Sequence, residues 1–205
     1  MKPCFILEDK HLGKIISGTD EVGCGAIAGP VVSCSVVLNR KQDFSKYVRD
    51  SKTLSDKQRN LAYNIIISNS AYSIGIASVE EIDQFNIRNA TILASERSVA
   101  NLILNPDVCL VDGNMQFKED RYVSIVKGEQ RSYSIAAASI VAKVVRDNLM
   151  FLLSKDFEEY GWKQNKGYGT KKHIERLRSN GSSMHHRKTF IKKYENSIYV
   201  NDPRS

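Results

Sequence analysis

Between Ile15 and Leu38 the chain reads Ile-Ile-Ser-Gly-Thr-Asp-Glu-Val-Gly-Cys-Gly-Ala-Ile-Ala-Gly-Pro-Val-Val-Ser-Cys-Ser-Val-Val-Leu, and no other stretch limits the fold as much. Two β-branched runs, Lys14 to Gly18 and Val31 to Leu38, are bounded by Gly and Pro and suit neighbouring strands. Asp20 and Glu21 stand side by side where the first run gives out. Consecutive strand residues point to opposite faces, so both carboxylates can serve one site only if the strand ends or bends there. Gly23, Gly25 and Gly29 follow as places where the chain can turn and its backbone can approach a ligand. Alone, an acidic pair before a Gly-Xaa-Gly corner also fits a solvated hairpin.

The rest of the chain predicts an α/β layer architecture with a mixed sheet. Ser55 and Gln58 have capping-box spacing and open a helix to about Ser68; Ser78 and Glu81 repeat the signature before a helix over Ile82 to Leu104, broken or kinked near Asn86. Ala71 to Ala77 reads as a third strand and Tyr122 to Val126 as a fifth. The fourth, Asp107 to Val111, is continuously apolar from Val108, as befits a strand buried on both faces, and runs directly into Asp112-Gly113. Ser134 to Ser154 is a long helix, followed by shorter basic helices, one from Thr170 to Gly181.

A chain of 205 residues can bury a full core without disulfides or a structural metal. Cys4, Cys24, Cys34 and Cys109 form no CxxC pair and lack zinc-finger spacing to a histidine, which predicts reduced thiols and a cytoplasmic protein. No export signal and no apolar run near the ~18 residues of a membrane span is present. The formal charge is +7, and the residues from Phe151 onward carry twelve Lys or Arg against six acids. A phosphate-rich partner would meet that end first, although a solubilising tail has the same composition.

Further carboxylates extend the first pair. Asp112 lies where a buried strand leaves the sheet, the usual ligand crevice of open α/β sheets, although Asp-Gly is also a turn dipeptide. On a projection of Ser134 to Ser154 at ~100° per residue, Ile140, Val141, Val144, Val145, Leu149, Phe151 and Leu152 share one face. Asp147 falls at its edge, with Arg146 and Lys143 further out; the local alternative for Asp147 is a pair with Lys143, acid after base and hence the weaker order. If Asp20, Glu21, Asp112 and Asp147 converge, their repulsion calls for cations. Oxygen donors without His or Cys favour Mg²⁺ or Mn²⁺, and two such ions would suit hydrolysis at phosphorus.

Trp162 to Lys172 alternates cations, aromatics and glycines, a pattern that can pack on bases or sugars while lysines meet phosphates. Tyr168, between two glycines, does not read as an ordinary core tyrosine, while Trp162 suits the core. His185-His186-Arg187-Lys188 reads as a basic surface strip without metal-ligand spacing.

Taken together, Asp20 to Val32, Asp50-Ser51-Lys52, Val111-Asp112-Gly113-Asn114, Ala136 to Asp147, Lys166 to Thr170 and His186 to Phe190 resemble the motifs of bacterial ribonuclease HII, over roughly Lys14 to Phe190. The resemblance implies a ribonuclease H-like fold: a mixed five-stranded sheet flanked by helices over residues 1–154, with a basic helical extension over 155–205 packed on it. It implies an endoribonuclease that hydrolyses the RNA strand of RNA–DNA hybrids and incises 5′ to ribonucleotides embedded in duplex DNA, leaving 3′-hydroxyl and 5′-phosphate ends. Asp20, Glu21, Asp112 and Asp147 match the metal-site carboxylates, with two Mn²⁺ or Mg²⁺ ions as cofactor. Gly23, Cys24, Gly25, Lys52, Lys166 and Tyr168 match substrate-binding positions, the corner's backbone contacting the ribose and Tyr168 the next deoxyribose. The expected partners are RNA–DNA hybrid and ribonucleotide-containing DNA, met by a monomer with no membrane attachment. The family's arginine in the glycine corner is Cys24 here, so a bidentate phosphate donor is missing and Cys24→Arg is expected to raise activity on a lone embedded ribonucleotide. Met1 to Leu12 is too short for the additional domain of ribonuclease HIII. The competing readings are another two-metal nuclease of the same superfold and a nucleic-acid-binding protein without catalysis.

Overall fold

A computed structural model describes residues 3–51 and 53–195. A one-turn helix α1 (Ile6–Asp9) precedes strands β1 (Ile16–Val22) and β2 (Val31–Leu38). Then come α2 (Asp56–Asn69), β3 (Ser70–Ala77), α3 (Val79–Ala100), β4 (Val108–Asp112) and β5 (Tyr122–Ile125). The long helix α4 (Tyr133–Leu153) leads to the extension, made of α5 (Trp162–Asn165), α6 (Lys171–Asn180) and α7 (Lys188–Glu195).

Among the described residues, five strands form one sheet in the order β3-β2-β1-β4-β5. β1 is antiparallel to β2 and parallel to β4, so the sheet is mixed as the sequence predicts. β1 runs further than its apolar run suggests: Asp20 pairs with Cys34 and Glu21 with Ser33 inside the strand. On the other side, pairing with β4 stops at Thr19 and Val111. The acidic pair therefore lies in the strand and still borders a gap, because its parallel neighbour has ended.

Both capping boxes form, Ser55 with Gln58 and Ser78 with Glu81. α3 is interrupted at Asn86, whose φ of 67° is left-handed. α2 and α4 cover one sheet face, where Cys34, Val36 and Leu38 meet Ala62, Ile66 and the alanines of α4. β1 meets α4 closely, since a Cβ on Gly18 would lie 2.0 Å from the Ser134 carbonyl carbon. On the opposite face α3 packs through hydroxyls, with Thr19 Oγ1 2.8 Å from Ser35 Oγ and that atom 2.7 Å from Ser98 Oγ. The buried hydroxyls of Thr19, Ser35 and Ser98 thus partner one another, as burial favours.

The extension packs on the glycine corner. The Ile27 and Ala28 amides donate to the Gly167 carbonyl, the Gly29 amide to that of His185, and the Arg187 amide to that of Ile27. Trp162 is fully buried beside Ala28, Met150 and Tyr160, the core role its sequence setting suggests. Two expectations need correction. His186 and Arg187 are buried rather than part of a surface strip, and in α4 Arg146 is fully buried while Phe151 and Leu152 are exposed. The cause is the same in both: carbonyls from distant loops surround each guanidinium, and helical periodicity counts an arginine as polar wherever its partners lie.

Candidate active site

At the carboxyl ends of parallel β1 and β4, a cavity of about 340 Å³ is lined by Asp20, Glu21 and Asp112 together with Ser51, Arg59, Ser139, Lys143 and Tyr168. It occupies the crevice expected for an open α/β sheet. Asp20 is buried, and its Oδ1 accepts the amide of Glu21 at 2.8 Å. Asp112 Oδ1 accepts the amide of Gly128 at 2.6 Å, which ties the end of β4 to the turn before α4. Burial pushes the Asp20 carboxyl well above the usual carboxylate range, and the charges of Glu21, Asp112 and Glu129 add to the rise. A hydrogen bond from Ser139 opposes it.

Glu129 is the residue that sequence reading overlooks. It is buried, it accepts a hydrogen bond from Ser139 Oγ at 3.3 Å, and it belongs to the group of charges acting on Asp20. Ser139 also meets Ser51 Oγ at 2.9 Å, so one hydroxyl pair links α4, the Ser51 loop and Glu129. The one sequence signal was an acid after Gly128 just ahead of a long apolar helix, too weak to separate from a turn. Asp147 stands elsewhere. The structure pairs it with Lys143, Nζ to Oδ1 2.9 Å, and it does not line the carboxylate cavity. Lys143 does, so Asp147 reaches the cavity through its partner.

Arg59, a second cation on the wall, donates to the carbonyls of Ser51 and Leu54 and to Asp56. Tyr168, also on the wall, is half-buried, with the Arg146 guanidinium 5.4 Å from its ring centre. Lys166 is anchored by its carbonyl, which accepts from Arg146 Nη1 at 2.9 Å, and it is not a wall residue of the cavity. Gly23 and Gly25 form the corner beyond Val22, while Lys52 lies outside the described residues. Cys24 turns its thiol inward, 3.3 Å from Thr91 Oγ1 and 3.7 Å from Glu21 Oε1. Burial and the neighbouring Glu21 charge push that thiol up to about 12, so it is neutral and not a nucleophile at neutral pH.

Among the described residues, no three His, Cys, Asp or Glu side chains already converge as a metal site. The chemistry of the donors nonetheless suits a hard divalent cation: crowded carboxylates, no thiolate or imidazole, and a buried aspartate whose charge lacks compensation. No described helix is long and apolar enough to cross a membrane.

The family model for ribonuclease HII matches residues 17–195. Ribonuclease HII of Orientia tsutsugamushi (strain Ikeda) is 50% identical over 190 residues, 93% of this chain and 92% of that one. The enzyme of the same name from Rickettsia rickettsii (strain Sheila Smith) is 50% identical over 183 residues, 89% and 94% of the two chains. Among solved structures, the ribonuclease H2 from Pyrococcus horikoshii OT3 superimposes with a TM-score of 0.74 at 23% identity over 91% of this chain and 99% of that one. The Bst-RNase HIII solved in complex with Mn²⁺ does so at 0.70 and 22%, over 89% of this chain and 69% of that one. At those identities the likeness establishes the fold.

Proposed function

The chain belongs to the ribonuclease HII family, and from that premise we propose how its own residues perform the reaction. It is an endoribonuclease acting on RNA in RNA–DNA hybrids. The family is divalent-metal dependent, and we assign the cation to Asp20, Glu21 and Asp112, with Glu129 completing the set. Mg²⁺ or Mn²⁺ fits these oxygen donors, and two ions are the full complement with substrate bound. Bound there, the metal supplies stabilisation of charge at phosphorus and an activated water.

The remaining work is positioning. Lys143 and Arg59 line the same cavity and present positive charge to a phosphate, Asp147 holding the first in place. Tyr168 offers its ring to a sugar. The Gly23 to Gly25 corner, exposed at Gly25, contacts the backbone at a ribose 2′-hydroxyl, the group that distinguishes RNA from DNA. On this reading the enzyme incises 5′ to a ribonucleotide in duplex DNA as well as within longer RNA, leaves 3′-hydroxyl and 5′-phosphate ends, and works as a cytoplasmic monomer. One observation carries the reading: Asp20, Glu21 and Asp112 share a cavity with Arg59, Lys143 and Tyr168.

The test uses two labelled duplexes, one with a single ribonucleotide in DNA and one with a continuous RNA strand on DNA, in Mg²⁺, in Mn²⁺ and in chelator. Metal-dependent cutting of both is expected, with incision 5′ to the lone ribonucleotide. Asp20→Asn should slow both by roughly 10²-fold or more, the scale on which losing one charge-stabilising group acts. Cutting of the hybrid alone would remove embedded ribonucleotides from the substrate range. Binding without cutting would leave a nucleic-acid-binding protein.

A further inference from the structure

Arg187 is fully buried, and its ion-pair distance contains no carboxylate among the described residues. Its guanidinium instead donates to three backbone carbonyls: Nε to Gly29 at 2.9 Å, Nη1 to Cys24 at 3.0 Å and Nη2 to Gly23 at 2.8 Å. These donors converge on the glycine corner from the far end of the chain. Burial lowers the Arg187 pKa to about 10, which leaves it a cation at neutral pH.

In a trans peptide the carbonyl and the amide of the same unit point in opposite directions. Holding the Gly23 carbonyl therefore turns the Cys24 amide away from Arg187, and holding the Cys24 carbonyl turns the Gly25 amide away. Neither amide meets a backbone or side-chain acceptor among the described residues. The space they face is open, since Gly25 is exposed and a Cβ added to it would touch nothing within 4 Å. The Cys24 side chain does not cover them, because it is turned toward Thr91. From behind, Gly23 has a φ of +98°, and a Cβ there would lie 2.2 Å from Arg146 Nε, so the corner cannot relax toward the arginines.

We propose that Arg187 is a positioning residue for substrate: by gripping the Gly23 and Cys24 carbonyls it presents the Cys24 and Gly25 amides as a fixed pair of donors for an oxygen of the nucleic-acid sugar–phosphate backbone. The inference rests on the nuclease reading above and adds to it the device that sets the corner. Lysine keeps the charge but offers all its donors from one nitrogen, so it cannot reproduce the fork that reaches three carbonyls.

The experiment compares wild type with Arg187→Lys and Arg187→Gln. Thermal unfolding reports the fold, steady-state cleavage of the single-ribonucleotide duplex separates KM from kcat, and NMR hydrogen exchange in chelator follows the Cys24 and Gly25 amides. In wild type both amides should gain protection when duplex binds. Protection by the ribonucleotide duplex alone identifies a 2′-hydroxyl as the acceptor, and equal protection by an all-DNA duplex identifies a phosphate oxygen. Folded Arg187→Lys should raise KM by about tenfold or more with kcat nearly unchanged, the signature of lost uniform binding, and should lose the protection. A folded variant with wild-type KM and protection overturns the proposal while leaving the nuclease reading intact. If neither variant folds, the wild-type exchange decides alone, and unprotected amides in the complex overturn it. A wild type that neither binds nor cuts either duplex overturns the nuclease reading itself.

Discussion

Carboxylates placed together repel, and which of them share a site is decided residue by residue. Asp20 feels Glu21, Asp112 and Glu129, whereas Asp147 is neutralised locally by Lys143. Glu129→Gln should therefore cost roughly 10²-fold in kcat, and Asp147→Asn no more than about tenfold, acting through a looser Lys143 and read as a rise in KM. Equal, severe losses in both would return Asp147 to the metal set. Cys24 also looks different once its side chain is located. A thiol seated on Thr91 and Glu21 leaves no inward room for a guanidinium, so in Cys24→Arg the new side chain must turn outward toward substrate. The gain on a lone embedded ribonucleotide should then come with a lower melting temperature, and an unchanged ratio of activity on the two duplexes would refute it. The acidic pair and Asp112 were legible in the sequence because strand ends are local features. Glu129 was not, because only its burial against Ser139 and its charge on Asp20 distinguish it from a turn acid.

At the scale of elements, the capping boxes and the break at Asn86 follow from local hydrogen-bonding chemistry and form where the sequence places them. The extension is held by a less legible device. His186 Nδ1 accepts the Ser183 amide at 3.0 Å, which puts its proton on Nε2, facing His173 Nε2 at 3.1 Å. Trp162 Nε1 donates to that same His173 nitrogen, so the His173 proton sits on Nδ1, 2.9 Å from the Tyr168 carbonyl. Both imidazoles must be neutral for this chain of bonds to hold. Burial, with the charges of His173 and His185, lowers His186 to about 4, and burial lowers His173 as well. A depressed histidine pKa means the unfolded chain binds more protons than the folded one between about 4 and 6.5. Stability is thus complete above the unfolded value and declines as pH falls through that window, by up to about 3 kcal/mol for His186 alone. Denaturant unfolding at a series of pH values should show the decline, and His186→Phe should flatten it; an equally steep variant would place the effect elsewhere.

The whole molecule joins a five-stranded sheet to a basic helical extension, which packs on the glycine corner and brings Tyr168 to the wall of the carboxylate cavity. Asp83 of α3 accepts the amides of Lys188 and Thr189, docking α7, while Arg146 and Arg187 fasten the glycine corner to α4 and the extension. A chain ending at Ser154 keeps Asp20, Glu21, Asp112 and Glu129 yet uncovers Ile27, Ala28 and Met150, so it should be inactive and prone to aggregate. Since most of the formal +7 lies in the extension, duplex affinity of the full chain should fall by about tenfold or more between 50 and 200 mM salt, measurable by fluorescence anisotropy. By itself the sequence determined the strands and helices, the mixed sheet, the oxygen-only donor chemistry and the acids at the strand ends, because propensity, capping and periodicity act over a few residues. Only the tertiary structure showed that the Glu129 charge acts on Asp20 while Asp147 pairs with Lys143, and that Arg146, His186 and Arg187 are interior. The arginines and Glu129 answer to carbonyls and charges more than a hundred residues away along the chain, as with Arg187 and Gly23, and His186 to a histidine of a neighbouring helix; no local pattern encodes where such partners will be.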